Sequence, residues 1–95
     1  MTDIRITCIT LFGSSARNEH ITHVGSPQFT PAGTRWSVRE VVNAIENKLH
    51  NFYVMDNSGN RADVGVVDPG NGHPKYIRTY ADGKWSDNLL SLPSC

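Results

Sequence analysis

Cys8, His20, His23 and Cys95 form a donor set that a zinc ion would accept. Their spacing argues against it. Structural zinc sites draw ligands in close pairs, whereas these cysteines stand near opposite ends of the chain. The histidines are three residues apart, a step that puts them on opposite faces of a strand. Cys8 reads instead as a small buried hydrophobe. Both cysteines read as free thiols, the state a reducing cytosol maintains, and oxidation would join them only if the chain ends met in space. The stretch DNSGN sets oxygen side chains at Asp56, Ser58 and Asn60, as the start of a calcium loop does. Arg61 then occupies the sixth position, where glycine is needed, and Val67 the twelfth, where glutamate is needed. A hairpin turn accounts for the same residues. Nucleophilic catalysis has no signature. There is no G-x-S-x-G elbow, Gly70-Asn71-Gly72 is not followed by the Lys-Ser or Lys-Thr of a phosphate loop, and the carboxylates are scattered. No catalytic residue, metal or cofactor is expected.

The strongest binding candidate is KYIRTY, Lys75 to Tyr80. On a strand, Tyr76, Arg78 and Tyr80 share one face and Lys75, Ile77 and Thr79 the other. Burying Arg78 without a partner is costly, so Ile77 and Thr79 are expected to point inward, leaving an aromatic–cation–aromatic row outside. Such a row can anchor a protein partner, stack the bases of a single nucleic-acid strand, or simply shield the sheet as a cross-strand ladder. Nine basic and nine acidic residues cancel. No global field therefore gathers nucleic acid or anionic lipid, and little repulsion opposes self-association. The expected function is a non-enzymatic interaction module that meets a protein partner or a second copy of itself. Weak binding of single-stranded nucleic acid is the alternative, and an unrecognised enzyme is the third reading.

These residues need a scaffold. Ninety-five residues supply one domain, 1–95, with a single modest core. At 38% hydrophobic the chain is globular. No apolar run approaches the ~18 residues of a membrane span, so no membrane contact is expected. The N-terminus, MTDIRITCIT, lacks the basic-then-apolar order of a signal peptide, and the expected location is the cytoplasm.

Ile4 to Leu11, rich in Ile and Thr, predicts a strand, with Ile4, Ile6 and Cys8 on one face. Ser14 to Glu19 reads as a mobile loop and His20 to Val24 as a second strand pairing back on the first. GSPQFTPAG, Gly25 to Gly33, is a connecting loop. In RWSVREVVNAIENKL, Ser37 and Glu40 have the spacing of a capping box, and Trp36 and Val41 that of a hydrophobic staple. Val38, Val41, Val42, Ile45 and Leu49 recur as one apolar stripe, which predicts a helix from about Val38 to Leu49. Strands follow at Asn51 to Met55, Ala62 to Val66 and Lys75 to Tyr80, separated by turns at DNSGN and DPGNGHP. The order β-β-α-β-β-β with short connections predicts a small α+β fold: a twisted, mostly antiparallel sheet with one helix packed on it. A small open barrel is the alternative.

The tail DNLLSLPSC is unusually apolar for a terminus. Asp87 can cap a turn starting at Asn88, and Pro93 would end it. Each buried leucine contributes about 1.5–3 kcal/mol, so Trp85, Leu89, Leu90 and Leu92 are expected to fold back and close the core. Four segments, ITCIT, HITHVG, WSVREVVNAIE and KYIRTYADGKWSDNLLSLPSC, resemble the bacterial domain of unknown function family 3892. The closing run is the most specific, with its T-x-A-D-G, D-N-L-L and L-P-x-C patterns, while 13–19 and 27–33 look individual to this member. The resemblance spans nearly the whole chain. It implies a small stand-alone bacterial domain and no assigned activity.

Overall fold

In the computed structural model, which describes residues 2–13, 17–31, 33–55, 58–81, 83–86 and 88–95, the Ile/Thr-rich N-terminal run forms two strands where its pattern predicts one. β1 (Thr2–Arg5) pairs in parallel with β5 (His50–Met55), and β2 (Cys8–Leu11) pairs antiparallel with β3 (Ile21–Gly25). The division falls at Ile6 and Thr7. The Ile6 amide donates to Tyr53 O at 2.8 Å and the Thr7 amide to Gly25 O at 2.9 Å. Successive amides of an extended chain point to opposite edges, so one continuous run leaves the first sheet and enters the second. Ile4, Ile6 and Ile9 are all buried across this corner.

The strands therefore lie in two sheets rather than one. The larger has the order β1-β5-β6-β7-β8, with β6 at Arg61–Val67, β7 at Tyr76–Ala81 and β8 at Lys84–Ser86. The smaller has the order β2-β3-β4, with β4 at Arg35–Ser37. Apart from β1 with β5, the strand pairs are antiparallel. The fold is a small α+β fold built around a single helix, α1 (Val38–Glu46). The expected loop between β2 and β3 ends in a 3₁₀ turn, Asn18–His20; residues 14–16 of that loop lie outside the described residues, as do Asp56 and Asn57 of the expected DNSGN turn.

The capping box opens α1 as its sequence dictates. Glu40 N donates to Ser37 Oγ at 3.2 Å, and Ser37 N donates to Glu40 Oε1 at 3.0 Å, an arrangement that contributes about 1 kcal/mol. The helix stops sooner than its apolar spacing implies. Leu49 N donates to Ala44 O at 2.8 Å and Lys48 N to Ile45 O at 3.1 Å, with Lys48 at φ 56°. That is a Schellman ending with lysine where glycine is usual, and it turns Leu49 out to 55% exposure. Val41, Val42 and Ala44 are buried; Val38 and Ile45 pack partly against them. Their partners are Phe52 and Val54 of β5, Ala62 and Val64 of β6, Ile77 of β7, and Ile21 and Val24 of β3. Trp36, just before the cap, stacks on Phe29 with ring centres 4.8 Å apart, which folds the Gly25-to-Gly33 loop back onto the core.

The tail closes that core. Leu89, in a 3₁₀ turn at Asn88–Ser91, is fully buried (0% exposed), and Leu90 and Leu92 pack beside it. Asp87, expected to cap this turn, and the side chain of Trp85 lie outside the described residues. Past the turn, Ile9 N donates to Pro93 O at 3.1 Å and Cys95 N donates to Ile9 O at 3.0 Å, so the terminus lies along the β2 edge opposite β3. This placement corrects the expectation of free thiols: Cys8 and Cys95 form a disulfide, with Cα atoms 5.0 Å apart. Gly25, paired with Cys8 across β2 and β3, makes room for it. A Cβ at Gly25 would collide with Cys8 Sγ and come within 2.9 Å of Cys95 Sγ.

Two outcomes are expected in thermal or urea unfolding. Lys48→Gly removes the left-handed strain and should raise stability by about 0.5–1 kcal/mol. Removing residues 87–95 takes away Leu89, Leu90, Leu92 and a disulfide worth about 2–4 kcal/mol, which should abolish the cooperative transition; an unchanged melting curve would overturn the assignment of the tail to the core.

Candidate functional site

Alternation along β5, β6 and β7 sorts their residues onto two faces. Phe52, Val54, Ala62, Val64, Ile77 and Thr79 are buried under the helix and tail. Their neighbours look the other way, and none of Tyr53, Met55, Arg61, Asp63, Tyr76, Arg78 and Tyr80 is buried. Ile77 and Thr79 thus point inward as expected, and Tyr76, Arg78 and Tyr80 form the outer row of β7, with Tyr80 the most open at 44%. Lys75, on the helix side of the strand's start, donates to Glu46 Oε2 at 2.7 Å. That hydrogen bond, with the charge of Glu46, raises the lysine's pKa, so on raising the pH the pair is lost as the lysine deprotonates. Thr79 ties the row to the tail, because Asn88 N donates to its Oγ1 at 3.1 Å.

Strand register extends this row across the sheet. Arg5 stands opposite Tyr53, Tyr53 opposite Asp63, Asp63 opposite Tyr80, and Tyr80 opposite Trp85. Arg61 lies over the Tyr53 ring, 4.3 Å from its centre, a cation–π geometry. Its Nε donates to Asp63 Oδ1 at 3.0 Å and its Nη1 to Asp3 Oδ2 at 3.4 Å. The hydrogen bond to Asp63, with the charges of Asp63 and Asp3, raises the guanidinium's pKa above its ordinary value against a smaller desolvation effect. Arg5 spans the same face to donate from Nη2 to Met55 O at 3.2 Å. Tyr53, Arg61, Asp63 and Arg5 escape the sequence reading because they lie on three other strands. Alternation in β5 points Tyr53 outward, but only register places it in line with Tyr80.

The sheet's edges are covered unevenly. At β1, Arg5 N donates to Gln28 Oε1 at 2.8 Å and Gln28 Nε2 donates to Asp3 O at 3.1 Å. One side-chain amide thereby occupies the backbone positions that an added strand would use.

The zinc-like set is not assembled: its two cysteines are bonded to each other. Among the described residues no group of three or more His, Cys, Asp or Glu side chains is placed to hold a metal. Glu19, His73, Lys75 and Tyr76 line a cleft of about 290 Å³, but Lys75 is held by Glu46, and among the described residues no hydrogen bond joins the other three. No described helix is long and apolar enough to cross a membrane.

A family model described as protein of unknown function (DUF3892) matches residues 5–93. The chain belongs to this family. No curated protein matches it, and no solved structure matches it. The family match covers every residue of the outer face except Asp3 and assigns none of them a role.

The hydrogen bond beneath the row and the ion pair upon it should separate in mutagenesis. Thr79→Val leaves the part-buried Asn88 amide without this acceptor and should cost about 1–2 kcal/mol. Arg61→Gln removes two exposed ion pairs and the contact with the Tyr53 ring and should cost about 1 kcal/mol or less. Urea unfolding of the two variants measures both.

Proposed function

We propose that the chain is a non-enzymatic interaction module that works through the outer face of its larger sheet, with a second copy of the chain as the partner. The observation that carries this reading is the row Arg5–Tyr53–Asp63–Tyr80, flanked by Tyr76, Arg78 and Arg61, on the face opposite the core. Tyrosine and arginine supply large, orientable contact area and dominate the binding energy of many interfaces. The charge pattern favours a protein over a nucleic acid. Asp3 and Asp63 stand among the arginines and engage Arg61, so a phosphate backbone would meet carboxylates in the middle of the face. Both signs of charge on one patch are self-complementary under a two-fold axis, and a chain of zero net charge opposes such pairing little.

Sedimentation equilibrium tests the proposal. The full-length protein should show a mass rising toward twice that of the monomer with concentration, and Tyr80→Ser should weaken the association about tenfold or more. A monomer at every concentration would overturn it. Salt-dependent retention on single-stranded DNA, lost in Tyr76→Ala plus Arg78→Ala, would transfer the same face to the nucleic-acid reading.

A further inference from the structure

The disulfide lies in a cleft of about 550 Å³ on the smaller sheet, away from the outer face just described. Cys8, Gly25 and Arg35 are in register across β2, β3 and β4, so they share one face of that sheet. Gly25 puts no side chain between Cys8 and Arg35, whose strands are about 10 Å apart, and Arg35 lines the same cleft as both cysteines. Pro27 and Thr34 help to wall the cleft, and Arg35 is exposed. Cys95 is exposed while Cys8 is half-buried. The terminal segment is held to β2 by two backbone hydrogen bonds with Ile9, one donated by Ile9 N and one accepted by Ile9 O, whereas the preceding turn is anchored separately by the buried Leu89 and by the Asn88–Thr79 hydrogen bond.

We propose that Cys8–Cys95 is a thiol–disulfide exchange site for a small acidic thiol, steered by Arg35, and that exchange there unlatches the last three residues from the β2 edge. The entering thiolate attacks Cys95 Sγ, on the more exposed of the two residues. A new S–S bond forms to Cys95 as the Cys8–Cys95 bond breaks, and the electron pair leaves on Cys8 Sγ, which takes a proton from water. A second thiolate attacks the sulfur of the small molecule, leaving Cys95 as a thiolate and releasing the oxidised disulfide of the thiol. The protein gains two electrons and two thiol molecules lose them. With the bond open, residues 93–95 lose their covalent tie to β2 and are held among the described residues by the two hydrogen bonds with Ile9, so the β2 edge becomes available to another extended segment. Leu89 stays docked, so the change is confined to the terminus.

The test uses the oxidised full-length protein without denaturant, with glutathione as the acidic thiol and 2-mercaptoethanol as a neutral one. Alkylation followed by mass mapping should find the glutathione adduct on Cys95. Arg35→Ala should slow reaction with glutathione about two- to fivefold and leave that with 2-mercaptoethanol unchanged. Hydrogen exchange should quicken at the amides of Ile9 and Cys95 on reduction, while those of Ile77 and Leu89 keep their protection. Cys95→Ser should reproduce the reduced pattern without any thiol. Four results would overturn the proposal: an adduct chiefly on Cys8, equal slowing of both thiols, a bond that opens only in denaturant, or loss of Leu89 protection in Cys95→Ser.

Discussion

Ile9 holds the far end of the chain with both of its peptide groups, donating to Pro93 and accepting from Cys95, while its side chain is buried in the core. The rest of the molecule is arranged around this meeting of the ends. β2 gains a neighbour on each side, β3 and the terminus, so a three-stranded sheet too small to be stable alone is closed on that edge. Just before it in the chain, Leu89 is buried in the core shared by the helix and the larger sheet. The disulfide then ties two residues 87 positions apart in sequence, which limits the unfolded chain more than a short loop would.

Because the helix, the tail and the smaller sheet all contribute to one cluster with the inner face of the larger sheet, the opposite face is left to make other contacts. It is not a bare apolar surface. Tyr53 carries a guanidinium on its ring, and that guanidinium is held by two carboxylates. Such an arrangement keeps aromatic area accessible without the exposed apolar patch that drives indiscriminate aggregation. The edges follow the same logic. Gln28 occupies the β1 edge of the larger sheet and the terminus covers the β2 edge of the smaller one, so strand addition is blocked at both places.

Glycine and lysine at two backbone positions show how the environment chooses the residue. Gly25 is required by space, since two sulfurs lie where a Cβ would be. Lys48 holds a left-handed conformation that glycine would adopt with less strain. The first position opens the cleft beside the disulfide; the second ends the helix and turns Leu49 outward.

Local chemistry was legible in the sequence wherever it acts between residues close in the chain. Ser37 and Glu40 specify the start of the helix, and β-branched residues specify the strands. Alternation in KYIRTY specifies that Ile77 faces the core and Tyr80 the solvent, and the leucines of the tail specify its burial. The alternation signal carries over to β5 and β6, because a sheet covered on one side sorts its residues by solvent. The sequence alone could not show that the first Ile/Thr run serves two sheets, because the same pattern fits one long strand or two short ones. Nor could it show that Tyr53, Asp63 and Tyr80 share a line, or that Cys8 meets Cys95. Those relations depend on which strands pair and in what register, and pairing is fixed by burial summed over the whole core. Tertiary structure decided them because hydrogen bonds between distant peptide groups, unlike caps and turns, leave no fixed spacing in the chain.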